Sequence, residues 1–121
     1  MNNTSPTWSR ETEVAWLAGI IEGEGAIGVH KTYKIRGGER RQYRYPQIRV
    51  RMTDEDIVQR CADITAPMGG GMYGPVAGWK PHYKSVWQWT ITGAPARQVL
   101  TLVLPYLGLR RTDQAMKAVA S

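Results

Sequence analysis

The chain has 121 residues, with 16 Lys and Arg against 10 Asp and Glu and a formal net charge of +6. That length supports one domain with a modest core. No apolar run approaches the roughly 20 residues that a membrane-spanning helix needs, and the single Cys61 excludes an internal disulfide. His30 and His82 stand apart from any Cys/His cluster with zinc spacing. The excess of basic charge points to a polyanionic partner.

Residues 1–9 are polar, lack the charged and apolar regions of a secretory signal, and are expected to be a disordered lead-in. A single domain is expected over 10–121. Ser9 suits a helix N-cap, with Glu11 and Glu13 in the first turn to complement the dipole, and the helix is expected from Arg10 to Glu22 or Gly23. Within it Ala15, Gly19 and Gly23 recur every fourth residue and form one stripe of very small side chains. Two glycines inside a helix each cost about 1 kcal/mol relative to Ala. Close packing against a second helix is the natural compensation, by the steric logic of small-xxx-small contacts. Glu24 then falls at the helix C-terminus, where the dipole disfavours a carboxylate, and such a placement suggests a metal ion.

The next segment, 26–35, reads as a strand with Ile27 and Val29 on one face and Gly28, His30, Thr32 and Lys34 on the other. Gly37 and Gly38 mark a turn. A second strand from about Gln42 to Met52 alternates clearly: Pro46, Ile48, Val50 and Met52 on one side, Tyr43, Tyr45, Gln47, Arg49 and Arg51 on the other. From Lys31 to Arg51 there are eight Lys or Arg residues and one acid, Glu39, so the basic charge is concentrated on this hairpin.

Thr53 to Asp56 is a helix start, followed by an apolar face of Ile57, Val58, Cys61, Ala62 and Ile64. Pro67 and Gly69 to Gly71 end that helix. Met72–Val76 and Tyr83–Thr92 read as a second hairpin, with a long loop through Gly78, Trp79, Lys80 and Pro81. Trp87, Trp89 and Ile91 are read as core and Gln88 and Thr90 as outward, the reverse phase placing tryptophan on a nucleic-acid surface. Pro95 suits the first turn of a third helix with Ala96, Val99, Leu100 and Val103 inward and Pro105 at its end. A terminal helix is expected from Thr112 to Ala120.

The order is αββαββα plus a short helix, an α+β layout with helices on one face of an antiparallel sheet. The other face carries Tyr43, Tyr45, Arg49 and Arg51. A basic, aromatic two-stranded ribbon fits a DNA major groove. Arg49 and Arg51 suit guanine and Gln47 suits adenine. Lys34, Arg36, Arg40 and Arg41 at the hairpin tip suit phosphates or outer base pairs. His30, Thr32, Lys84 and Gln88 complete the expected DNA-contacting set. Duplex RNA offers no readable major groove to such a sheet.

Residues 17–25, Leu-Ala-Gly-Ile-Ile-Glu-Gly-Glu-Gly, resemble the motif of the LAGLIDADG homing endonucleases, with Ile20 for Leu, Glu22 and Glu24 for Asp, and Gly23 for Ala. The wider resemblance covers about Val14 to Met116. It implies an αββαββα fold whose sheet forms a DNA-binding saddle, and a homodimer joined along the motif helix through Ala15, Ala18, Gly19, Glu22 and Gly23. It implies cleavage of a long, roughly palindromic double-stranded target by metal-dependent phosphodiester hydrolysis. Glu24 and the Gly23 carbonyl would hold Mg2+ or another divalent cation such as Mn2+. The family's basic active-site residue follows a Pro-aromatic-Leu stretch, here Pro105-Tyr106-Leu107, which selects Arg110 with Arg111 as the alternative. Some members place a Gln at the end of the second strand, where this chain has Arg51. An RNA maturase and a non-cleaving DNA-binding regulator are the rival functions on the same fold. The expected location is intracellular, bacterial or phage cytoplasm or an organellar matrix, with no membrane partner.

Overall fold

The computed structural model describes residues 7–77, 82 and 84–121. Helix α1 spans Arg10–Glu24, and Ser9 caps it by accepting from the Thr12 amide at 3.1 Å. Strands β1 (Gly25–Arg36) and β2 (Glu39–Met52) follow, then α2 (Glu55–Thr65), β3 (Gly71–Val76), β4 (Val86–Thr92), α3 (Gly93–Val103), a 3-10 turn over Leu104–Tyr106, and α4 (Leu109–Val119). The four strands form one antiparallel sheet in the order β1-β2-β4-β3. This is the α+β layout expected from the sequence.

The β1–β2 hairpin turns at Gly37 and Gly38, with φ of 57° and 81°. Two successive positive φ values define the tight turn whose twist matches antiparallel strands, and glycine adopts them without steric penalty. The strands outrun their expected bounds because the pairing continues to Arg36↔Glu39, immediately at that turn.

One face of the sheet is dry. Ile48, Val50, Trp89 and Ile91 are buried there, against Val14, Leu17, Ala18 and Ile21 of α1, Val58, Cys61 and Ile64 of α2, and Ala96, Val99, Leu100 and Val103 of α3. The tryptophan phase is therefore the core one: Trp89 is fully buried and Trp87 is half-buried. The indole of Trp89 donates to the Thr65 hydroxyl at 3.0 Å, and that hydroxyl donates to the Cys61 carbonyl at 2.9 Å, so the buried polar atoms are paired.

Three expectations shift. The terminal helix begins at Leu109, not Thr112, because Gly108 takes the N-cap position and opens the helix three residues earlier. Strand β4 begins at Val86, which leaves Lys84 exposed in the segment before it. Trp8, expected in the lead-in, packs beside Trp16 with ring centroids 6.1 Å apart, and the Arg60 guanidinium lies over it at 4.5 Å. The expected loop 78–81 lies outside the described residues.

Candidate nucleic-acid interface and carboxylate site

Strand pairing assembles the polar face residue by residue. In an antiparallel sheet directly opposed residues share a face. Gly28↔Gln47, His30↔Tyr45, Thr32↔Tyr43 and Lys34↔Arg41 therefore put one side of β1 beside one side of β2. Arg49↔Thr90 and Arg51↔Gln88 carry the same face onto β4, and Gln88↔Tyr73 carries it onto β3. Arg36 pairs with Glu39 at the tip of this face. Arg49 and Arg51 are exposed, while Tyr43, Tyr45 and Gln47 are half-buried among their neighbours.

This face is partly preorganised. The His30 and Tyr45 rings lie 5.1 Å apart across the strands. Lys34 Nζ stands 5.6 Å from the centroid of the Tyr43 ring. Gln88, expected to point freely outward, is only 9% exposed. Its amide donates to the Thr90 hydroxyl at 2.8 Å and to the Tyr73 hydroxyl, so it is held between its neighbours. Tyr73 is a member of the polar face that the sequence reading passed over, although the inward Met72 beside it sets the alternation.

Arg40 is a correction. It pairs with Ile35, one step out of phase with Lys34↔Arg41, and so points to the opposite side of the ribbon. There its guanidinium lies 4.2 Å from the centroid of the Tyr33 ring, and Gln42 donates to the Tyr33 hydroxyl at 3.2 Å. The alternation that placed Arg49 and Arg51 outward also puts Arg41, not Arg40, on their face.

Helix α1 ends beside this face. Glu24, its last residue, is exposed and directly precedes Gly25, which pairs with Val50 between Arg49 and Arg51. The carboxylate thus enters at the end of the sheet where Arg51 and Gln88 pair. Among the described residues no group of three or more His, Cys, Asp or Glu side chains is gathered to hold a metal. One chain brings Glu24 and, in the same last turn, the Gly23 carbonyl, where a helix leaves carbonyls without intrahelical donors. Such hard oxygen donors suit Mg2+ or Ca2+, with the rest of the coordination left to water, phosphate oxygens or another carboxylate.

The α1 stripe divides. Gly19 and Gly23 are exposed, and a Cβ added at either would meet nothing among the described residues within 4 Å. Ala15 is half-buried. Ala18, expected at a helix–helix interface, is fully buried in the chain's own core with Leu17 and Ile21. It lies one residue off the Ala15–Gly19–Gly23 row, which turns it toward the sheet. Glu22 is also committed within the chain, accepting from the Gly108 amide at 2.7 Å.

The two candidate arginines differ sharply. Arg110 is exposed in the first turn of α4. Arg111 is 8% exposed and donates from Nε to the Glu22 carbonyl at 3.2 Å and from Nη1 to Gln114 Oε1 at 3.0 Å.

No protein-family model matches the sequence. No curated protein matches it either. Solved structures do. The homing endonuclease I-CvuI, in complex with its target in the presence of calcium, superposes with a TM-score of 0.70 at 18% identity, covering 92% of this chain and 66% of that one. The group I intron-encoded homing endonuclease I-CeuI, complexed with DNA, gives 0.59 at 16% identity over 98% of this chain and 56% of that one. The homing endonuclease I-TnaI gives 0.57 at 15% identity over 86% and 67%. The chain thus spans about two thirds of the I-CvuI chain and just over half of I-CeuI. The chain has the fold of these homing endonuclease structures, as the resemblance of residues 17–25 to the LAGLIDADG motif implies.

Proposed function

We propose that this chain is one half of a site-specific double-strand DNA endonuclease that acts as a homodimer with divalent metal. The observation that carries this reading is the position of Glu24. It is an exposed carboxylate on the last turn of a helix, at the end of the sheet face that presents Arg49 and Arg51. On the same helix Gly19 and Gly23 leave an open stripe that nothing among the described residues fills. A second copy packed along that stripe by two-fold symmetry brings a second Glu24 near the first, and a two-fold enzyme takes a near-palindromic target.

The sheet face binds and orients the duplex. Exposed Arg49 and Arg51 address base edges, with guanine the partner that matches their paired donors, and Gln47 suits adenine. His30, Thr32, Tyr43 and Tyr45 form the middle of the ribbon, and Lys34, Arg36 and Arg41 take phosphates near its tip. Glu24, with the Gly23 carbonyl, would hold the divalent cation, which would supply Lewis acidity for hydrolysis and positive charge at the scissile phosphate. Arg110, exposed at the start of α4, supplies positive charge to that phosphate. Arg51 occupies the strand end next to Glu24 and adds a further cation there.

The test is open to any target. Purified protein is incubated with a random duplex library in magnesium and then in calcium, and new ends are sequenced. Staggered ends at one near-palindromic site, dependent on magnesium, are expected. Glu24→Gln should lose cutting at least ~100-fold, since it removes a metal-binding charge with little change of shape, while keeping duplex binding. Enrichment of one sequence without cutting by the natural chain would instead favour a regulator, and no DNA preference at all would favour RNA.

A further inference from the structure

The ends of α1 and α4 each lack what a helix end calls for. α1 has no basic residue in its last turn and carries Glu22 and Glu24 there. α4 has no acidic residue in its first turn and carries Arg110 and Arg111 there. Both arrangements oppose the helix dipoles. The two helices correct each other. Arg111, buried from α4, donates to the Glu22 carbonyl at 3.2 Å, placing a cation at the negative end of α1. The Glu22 carboxylate accepts from the amide of Gly108, the N-cap of α4, at 2.7 Å and places an anion at the positive end of that helix. Gln114 holds the far side of the guanidinium at 3.0 Å.

We infer that this reciprocal clamp between Glu22, Gly108 and Arg111 is the device that positions Glu24 as a metal ligand, and that Arg111 is a positioning residue with no contact to the phosphate. The inference rests on the endonuclease reading and deepens it. Glu24 is two residues beyond Glu22 on the same helical turn, at the point where chain direction changes from helix to strand. Buried Ile21 anchors the start of that last turn and its carbonyl accepts from the Gly25 amide, but Glu24 itself is exposed, beside a like charge at Glu22 and with glycine on either side. A guanidinium locked to the Glu22 carbonyl fixes the final turn from outside. The same bond uses up Arg111, whose planar donors are engaged by two acceptors and whose side chain is closed to solvent. Exposed Arg110 is left as the cation for phosphate.

The experiment compares the natural chain with Arg111→Ala, Arg111→Lys, Glu22→Ala and Arg110→Ala on the duplex selected by the library. Calcium is titrated calorimetrically into each protein–duplex complex, the magnesium dependence of cutting is measured, and thermal melts check folding. Removing a partner that orients a metal ligand typically weakens metal binding about 10–100-fold. Arg111→Ala and Glu22→Ala should weaken calcium binding by that factor and raise the magnesium needed for half-maximal cutting in parallel, with duplex affinity in chelator unchanged. Arg111→Lys should recover part of the loss while staying folded, which covers the case in which Arg111→Ala does not fold. Arg110→Ala should slow cutting at saturating magnesium and leave calcium affinity alone. Folded Arg111 variants with natural calcium affinity would overturn the clamp while leaving the endonuclease reading intact. A natural chain that neither cuts nor takes up calcium with DNA would overturn both.

Discussion

Cys61 and Thr65 sit one turn apart on the buried side of α2, and each gives a prediction at the scale of a single group. Burial pushes the Cys61 thiol from 9.0 to about 12, against a smaller opposing backbone hydrogen bond. The folded chain therefore holds the thiol protonated where the unfolded chain releases it. This contribution is fully present below pH 9.0 and is lost as pH rises from there to about 12. Between those values stability should fall with a slope approaching ~1.4 kcal/mol per pH unit from this group alone. Urea midpoints of the natural chain and Cys61→Ala, followed upward from about pH 8, should converge; parallel curves would sink the assignment. Thr65 presents the acceptor for the Trp89 indole. Thr65→Val keeps the shape and strands that donor, so it should cost about 1–3 kcal/mol, read as a lower urea midpoint at unchanged m-value. Neither pairing was legible in the sequence. The apolar stripe of α2 showed that Cys61 is inward, but only the fold brings a tryptophan 24 residues away onto the Thr65 hydroxyl.

At the scale of the element, the β1–β2 ribbon divides its cations between two sides. Arg49 shares a side with Gln47 and Arg51, while Arg40 lies against Tyr33 on the other. Arg49→Ala should cost about 1–3 kcal/mol on the preferred duplex and relax selectivity at one position of each half-site. Arg40→Ala should leave the sequence preference as it was. Binding profiles across a library of single-base variants measure both, and equal relaxation by the two variants would contradict the register. The strand alternation, the Gly37-Gly38 turn and the Ser9 cap were all readable, because each depends on local chemistry. The start of α4 was not, because Gly108 becomes an N-cap only when the Glu22 carboxylate reaches its amide from 86 residues away.

For the whole molecule, the exposed glycines of α1 are the decisive feature. Each weakens an isolated helix by about 1 kcal/mol relative to Ala, and among the described residues a side chain at either would meet no neighbour within 4 Å. In the proposed homodimer their use is to let the partner's backbone come close. Gly19→Leu should leave the monomer's fold and melting cooperativity intact, since no atom of the described residues occupies that space. It should convert the species seen by sedimentation from dimer to monomer and remove cutting. A Gly19→Leu protein that sediments as the natural one does would refute packing along this helix. Gly19→Ala offers a graded version, with a firmer helix and a weaker dimer.

The sequence by itself determined the order of the elements, the alternation of β2 and β4, the apolar faces of α2 and α3, the charged ribbon, and the motif that carries Glu24. All of these rest on periodicity and residue chemistry that act over a few positions. The tertiary structure alone decided which side chains are committed elsewhere. It turned Ala18 into core, set Arg40 behind the ribbon, enclosed Gln88, and bound Arg111 and Glu22 to each other's helices. A sequence shows which groups a residue offers. Only folding, by bringing together groups far apart in the chain, shows which of those groups remain for DNA, metal or a second copy.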